Sequence, residues 1–341
     1  MKLRLHTFDL PLRHEFTISR GSLTVQPTLI VELTEGDLRG FGEATSNSYY
    51  GATLESMQES LKAVREKIES AGWVDPREFW ESLNADLQHD RFAQCALDQA
   101  VFDLWGKRHN ARVYEMLGLS FDMAALPRSN YTIGIDTIEN MKAKLREFPG
   151  WPIYKIKLGT DRDLDIIRAL REETNAVFRV DANCGWSAET TLKNAVALKS
   201  LNVEFIEQPL ETDDVGGMRK IAGRCALPII ADEDCQQESD VDRCAKLGFD
   251  GINIKLVKCG GMTPALRMIE RARALKLRVM IGCMTESSVG ISAIAQLLPL
   301  LDYVDMDGAV LLAQDIATGV TLDKGVCHFS AIPGNGVQLL Q

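Results

Sequence analysis

The chain has 341 residues, 45% of them hydrophobic and 25% charged, the balance of an ordinary soluble globular protein with room for one large domain or two. Its 38 basic and 48 acidic side chains leave a formal charge of −10, so no general basic field exists to hold nucleic acid or an anionic membrane. No apolar run approaches the roughly 20 residues of a membrane span, and the opening "MKLRLHTFDLPLRHEFTI" lacks a signal peptide's apolar core and cleavage site, so a cytoplasmic protein is expected.

Residues 1 to 45 read as a β-meander, "KLRLHTFDL" followed by "TLIVELTEGDLRGFGEA", with Gly36-Asp37 at a hairpin turn. From 53 to 118, "TLESMQESLKAVREKIES" and "RFAQCALDQAVFDLWGKRHN" carry apolar residues at three- and four-residue spacing, the mark of helices. Strands followed by helices predict a small α+β domain over residues 1–122. Beyond it, eight β-rich runs alternate with helical stretches: "NYTIGI", "IYKIKL", "VFRVDA", "VEFIEQ", "PIIADE", "GINIKL", "RVMIGC" and "YVDMD". Such βα units predict a (β/α) barrel over residues 123–315, with an open doubly wound sheet as the alternative. The tail, residues 316–341, is Gly-rich and strand-like, offers no eighth barrel helix, and is expected to return to the N-terminal domain. The eight cysteines include no Cys-x-x-Cys pair, so they are expected to be reduced rather than zinc ligands.

A repeat runs through the strand ends. Lys157, Asp181, Glu207, Asp232, Lys255, Gly282 and Asp305 recur at spacings of 23 to 27 residues, which puts them at equivalent places on successive strands. Barrel active sites sit at the C-terminal strand ends. Asp181, Glu207 and Asp232 would then lie side by side. One such acid alone reads as a surface carboxylate, but three converging acids repel one another unless a cation joins them. A set of oxygen ligands without Cys or His suits Mg2+ or Mn2+.

Lys157 and Lys255 fall four strands apart, on opposite sides of the barrel mouth. A lysine becomes a base only when desolvation or a neighbouring cation lowers its pKa, and moving it from about 10.4 towards 7 takes roughly 4–5 kcal/mol. Lys155, on the same strand face as Lys157, is a natural contributor. Two bases facing each other across a cation suit removal of a proton α to a carboxylate and its return to the opposite face, with the cation stabilising the enediolate. The outcome is racemisation or epimerisation.

The pieces "KIKLG", "RVDANCGW", "EFIEQPL", "IIADED" and "INIKLVKCGG", in this order, resemble the enolase superfamily, muconate-lactonising-enzyme subgroup, over nearly the whole chain. The pairing of a lysine or histidine base with Mg2+ is already established for that superfamily. The resemblance implies a modified (β/α)7β TIM-type barrel under an α+β capping domain that carries specificity loops, with the tail returning to the cap. It implies Asp181, Glu207 and Asp232 as ligands of one Mg2+ (or Mn2+), Lys157 and Lys255 as the acid/base pair, and Lys155 as the neighbour depressing the pKa of Lys157. Asn183 and Gln208 are implied as supports, with Glu233 hydrogen-bonding Lys255.

Within that subgroup "DMDG" is similar to the Asp-x-Asp motif of dipeptide epimerases, with Asp305 and Asp307 sharing a face to bind a substrate α-ammonium. Arg20, in an expected lid loop "RHEFTISRGS" after the first strand, resembles the arginine that receives a glutamate side chain, with Arg13 as competitor. "SNSYYG" would be a second lid loop, and Thr132, Met284 and Thr285 further substrate contacts. Glu286 has no role assigned. The implied function is Mg2+-dependent epimerisation of a small dipeptide, L-Ala-D/L-Glu from peptidoglycan turnover, by a homo-oligomer. N-acylamino-acid racemase and o-succinylbenzoate synthase are alternatives in the subgroup. A Schiff-base aldolase, or a barrel that only binds peptides, would be a different class. The "KCGG" stretch has the spacing of neither nucleotide fingerprint, and the five histidines show no metal-ligand spacing.

Overall fold

The computed structural model describes residues 1–72 and 74–340, so that the last residue of the expected tail domain lies outside the described residues. Three antiparallel strands open the chain, β1 (Lys2–Ile18), β2 (Gly21–Glu35) and β3 (Leu38–Thr45), with the expected turn at Gly36-Asp37. Alternation in β2 splits its side chains between two cores. Leu29, Val31 and Leu33 face the cap helices, while Ile30 meets Phe41, Val289, Ala317 and Val337 on the other side.

The cap helices follow as α1 (Leu54–Ala63), α2 (Arg65–Ser70), α3 (Pro76–Leu87), α4 (Arg91–Arg108) and α5 (Val113–Met116). Their starts are chemically marked. Thr53 and Ser56 form a capping box, Asp75 caps α3 ahead of Pro76, and the Asp90 carboxylate accepts from Ala93 N. Helix α4 is buried on nearly every face, and β3 lies directly on it. Gly42 permits that approach: a Cβ there would stand 2.1 Å from the carbonyl oxygen of Ala96.

Eight parallel strands then form one sheet in sequence order: β4 (Tyr131–Ile133), β5 (Ile153–Lys157), β6 (Val177–Asp181), β7 (Val203–Glu207), β8 (Ile229–Ala231), β9 (Gly251–Ile254), β10 (Arg278–Gly282) and β11 (Tyr303–Asp305). Between them run α6 (Ile138–Glu147), α7 (Asp163–Arg171), α8 (Ala188–Ser200), α9 (Val215–Ile221), α10 (Glu238–Leu247), α11 (Leu256–Cys259) with α12 (Met262–Ala274), and α13 (Ser288–Ala295). Among the described residues no α-helix follows β11, which makes the barrel (β/α)7β. The sequential order excludes the doubly wound alternative.

Side chains bridge the seam between β11 and β4. Thr132 N donates to Asp307 Oδ2 (2.5 Å), Asn130 Nδ2 to Asp305 Oδ1 (2.7 Å) and Met306 N to Ser129 Oγ (3.0 Å). Inside the barrel, Phe205, Ile230, Met280 and Tyr303 form an apolar layer. Each lies two residues before a strand-end position of the repeat, so the polar residues stack one layer above.

One expectation needs correction. The stretch "RHEFTISRGS" is not a loop after a short strand, because β1 continues to Ile18 and turns at Ser19-Arg20 into β2. Pro11, which has no N–H to donate, precedes a register shift between Pro11 and Phe16, so the sequence looks broken where the ribbon only bends. The tail pairs with itself, β12 (Ala317–Thr318) with β15 (Gln338–Leu339) and β13 (Thr321–Asp323) with β14 (Val326–His328). It meets the cap at α4, where Asn335 N donates to Asp103 Oδ1 (2.7 Å) and Lys107 Nζ to the carbonyl of Val337 (2.9 Å). Among the described residues no helix is long and apolar enough to cross a membrane.

Candidate active site

The repeat places its residues around one mouth. Lys157 is in register with Asp181, and Asp181 with Glu207, while Asp232 and Lys255 directly follow β8 and β9. One oxygen from each of Asp181, Glu207 and Asp232 lies within 4.8 Å of the others, and all three residues are fully buried. Lys157 Nζ donates to Asp181 Oδ2 (2.6 Å), and Lys255 Nζ, from the other side, to Asp232 Oδ2 (2.8 Å). Both lysines line one pocket between barrel and cap.

Lys155 has partners that its own strand does not show. Its ammonium lies 2.8 Å from Glu207 Oε2, 2.8 Å from Asp305 Oδ2 and 3.4 Å from Asp181 Oδ2, so it is a counter-ion to acids on three strands. Burial opposes its charge, but Asp305, Glu207 and Asp181 outweigh burial and hold its pKa well above the ordinary lysine value. Burial also works against ionised Asp232, yet Lys255, Lys258 and Lys155 keep it well below the usual carboxylate range. Glu207 goes the other way: burial, then Asp181, push it up to about 8. Three buried hard-oxygen groups whose charges conflict in this way fit a divalent cation.

Sequence reasoning missed two residues here. Lys258 is buried and donates to Asp232 Oδ1 (2.6 Å) and to the Asp232 carbonyl (2.5 Å). Asn253 Nδ2 donates to Glu207 Oε1 (2.9 Å). Their signals were present: Lys258 lies one helical turn beyond Lys255 in "KLVK", and Asn253 shares its face on the strand.

The supporting residues divide. Asn183 N donates to Asp181 Oδ1 (2.9 Å), and Gln208 Oε1 accepts from the backbone N–H groups of Asp232 (3.0 Å) and Asp234 (3.1 Å). Both adopt positive φ, 42° and 33°, strained values for side-chain-bearing residues. Glu233 does not bond Lys255 as expected. Its Oε1 accepts from Arg20 (2.6 Å) and Asn183 Nδ2 (3.4 Å), because the turn after β8 aims it at the β1–β2 hairpin while Asp232 takes Lys255. Arg20 also lies 4.3 Å from the centre of the Tyr49 ring, in "SNSYYG", and it lines the pocket. Arg13 instead donates to the carbonyl of Val310 on the rim.

Asp305 and Asp307 line the same pocket with Thr132, Cys283, Met284 and Thr285. Lys155 outweighs burial and holds Asp305 down at about 2, whereas burial, then Asp305, push Asp307 well above the carboxylate range. A larger cleft of about 890 Å3 runs along α1 and α4, past Ser56, Lys67, His89 and Arg91. Its charges include the Lys67–Asp86 pair, and it contains none of the carboxylate trio.

Comparison with known proteins follows the same division of the chain. A family profile described as "Mandelate racemase / muconate lactonizing enzyme, N-terminal domain" matches residues 3–118, and one described as "Enolase C-terminal domain-like" matches residues 138–341. The chain is 53% identical over 340 residues to an L-Ala-D/L-amino acid epimerase of Flavobacterium johnsoniae, covering 100% of both. It is 37% identical to an L-Ala-D/L-Glu epimerase of Bacteroides thetaiotaomicron, over 99% of this chain and 88% of that one. The dipeptide epimerase of Methylococcus capsulatus, solved with Mg and the dipeptide L-Arg-D-Lys, superposes with a TM-score of 0.90 at 30% identity, covering 99% of each chain.

Proposed function

The chain belongs to the mandelate racemase / muconate lactonizing enzyme family of the enolase superfamily and is an isomerase, a dipeptide epimerase, and from that premise we propose that Lys157 and Lys255 invert the α-carbon of a dipeptide's C-terminal residue. The observation that carries this reading is the pair of lysine amines held by different members of one buried carboxylate trio, Asp181 for Lys157 and Asp232 for Lys255, on opposite sides of a single pocket.

Asp181, Glu207 and Asp232 would hold Mg2+ (or Mn2+), as the Mg-bound relative supports. When bound, the cation supplies positive charge beside the substrate carboxylate and lowers the cost of the negative charge that proton removal creates. One lysine Nζ, as amine, accepts the α-proton. The opposite lysine Nζ, as ammonium, returns a proton to the other face. Which lysine does which depends on the epimer bound. Lys155 and Lys258 balance the acids, and Asn253 and Gln208 fix where Glu207 and the Asp232 backbone stand.

Asp305 and Asp307 would receive the substrate's α-ammonium, a group that N-acylated amino acids lack. L-Ala-D/L-Glu, a dipeptide of peptidoglycan turnover, is our specific assignment, with Arg20 as receptor for the glutamate carboxylate. Glu233 already engages Arg20 at 2.6 Å, so glutamate must share or displace that partner. We therefore assign a site that accepts glutamate among other residues, in keeping with the broader name of the 53% identical relative. Eight free cysteines suit the reducing cytoplasm.

The test is α-deuterium uptake in D2O with MgCl2, read by mass spectrometry over a library of free dipeptides and their N-acetyl forms. Uptake into L-Ala-L-Glu and related free dipeptides, at least about tenfold faster than into the N-acetyl forms, is expected for a buried ammonium–carboxylate contact. Faster exchange of the N-acetyl forms would contradict the role of Asp305 and Asp307.

A further inference from the structure

The carboxyl groups of Glu43, on cap strand β3, and Glu286, beyond barrel strand β10, are both buried and both reach Gly290 at the start of α13. Glu43 takes nearly all the local donors. It accepts from Ser287 N (3.1 Å), Ser287 Oγ (2.5 Å), Gly290 N (2.9 Å) and Thr28 Oγ1 (2.9 Å). Glu286 Oε1 accepts from Met284 N (2.8 Å), and its Oε2 packs on Gly290, where a Cβ would stand 2.1 Å away. Two adjacent buried carboxyls cannot both ionise cheaply. The donors fall to Glu43, which favours the charge there and the proton on Glu286.

This joint has a consequence for the pocket. Met284, held by Glu286, and Thr285 line the pocket wall from the barrel side. Glu43 lies just before the "SNSYYG" loop, whose Asn47 and Tyr50 line the cap side, and Asn47 Nδ2 lies 3.7 Å from Met284 Sδ. We propose that Glu286 is a positioning residue: as a neutral acid beside Glu43 it seats the Met284–Thr285 wall against the cap loop, and when it ionises repulsion from Glu43 displaces that wall and weakens substrate binding.

The groups facing Glu286 agree. Burial, then Glu43, push it up to about 8, and the Met284 N–H and Lys255 only partly offset them. The other titratable neighbours are Cys95 on α4 and Cys283 beyond β10, thiols whose pKa values burial drives upward, so they add no charge in the range concerned. Glu43 is itself raised by burial, against the hydrogen bonds it receives.

The proposal rests on dipeptide epimerisation, so it is tested with L-Ala-L-Glu as probe and Mg2+ present. The wild-type KM should rise about tenfold or more from pH 6.5 to 9.5, as the binding-competent neutral form is depleted. In E286Q, whose amide cannot ionise yet still offers an acceptor to Met284 N, the rise in KM should be about tenfold smaller than the wild type's, leaving only the share due to the substrate α-ammonium, which loses its proton near pH 8 in either enzyme. E286A, which loses that acceptor, should raise KM at both pH values more than it lowers kcat. A wild-type KM that ignores pH, or an E286Q enzyme that follows the wild-type rise, would overturn the proposal. If the wild-type enzyme epimerised no dipeptide, the reaction assigned above would fall instead. The thermal midpoint would then decide: an alkaline decline lost in E286Q keeps the joint, and an unchanged decline overturns it.

Discussion

Along β5, Lys155 and Lys157 point the same way but meet different company. Both line the pocket, but Lys157 pairs with Asp181 alone, whereas Lys155 lies among Glu207, Asp305 and Asp181. Crowding between two lysines was legible in "YKIKLG"; the neutralising of one by acids on other strands was not, because it depends on barrel closure. The same limit explains Glu233, whose partner Arg20 is 213 positions away. That ion pair bears on specificity. Removing Arg20 as R20M should lower kcat/KM for L-Ala-L-Glu about tenfold relative to L-Ala-L-Leu, the worth of one charge-assisted hydrogen bond of roughly 1.5 kcal/mol. Steady-state kinetics on the two peptides checks this, and an unchanged ratio would remove Arg20 from glutamate recognition.

Elements were read from periodicity, which succeeds where local chemistry decides. The βα alternation and the recurring strand-end residues survive as the ordered eight-stranded sheet. The β1 ribbon was misread because Pro11 and the charged stretch after it look like a loop, although pairing with β2 resumes at Phe16. Contacts between elements were hidden. Asp98 of α4 accepts from Thr263 N (2.9 Å) and Thr263 Oγ1 (2.8 Å), so a cap carboxyl covers the start of barrel helix α12. Burial pushes Asp98 up to about 7, against the hydrogen bonds from Thr263 and Met262. Its folded pKa thus exceeds the unfolded value near 3.9. Between roughly pH 4 and 7 the folded state keeps a proton that the unfolded chain has lost, so stability is fully present at the acid end and falls as pH rises. The span corresponds to about 4 kcal/mol. D98N, unable to ionise, should lack that share of the decline, as thermal or urea unfolding at pH 4.5 and 7.5 would reveal. A D98N slope equal to the wild type's would contradict it.

At the scale of the whole molecule, the pocket belongs to neither domain alone. Arg20 and Tyr50 come from the cap, and the lysines and carboxylates come from the barrel. Asp98–Thr263, Glu43–Ser287, Trp80 Nε1 to the Gly260 carbonyl (2.8 Å) and Arg20–Glu233 fasten the two together. The family and the buried carboxylate trio could be read from motifs because strand ends carry the chemistry in a barrel. The joint at Glu43 and Glu286 could not, since nothing in either segment announces the other. We propose that two lysines work on opposite faces of one α-carbon. This is tested most directly by following solvent deuterium into L-Ala-L-Glu and L-Ala-D-Glu with K157A and K255A in the presence of Mg2+. Each variant should lose epimerisation by at least about 10^3-fold, the scale of a missing acid/base group. If the remaining lysine still exchanges, it should do so with one epimer only, and with opposite epimers in the two variants. Epimerisation at the wild-type rate in either variant, or exchange of the same epimer in both, would contradict the two-lysine account.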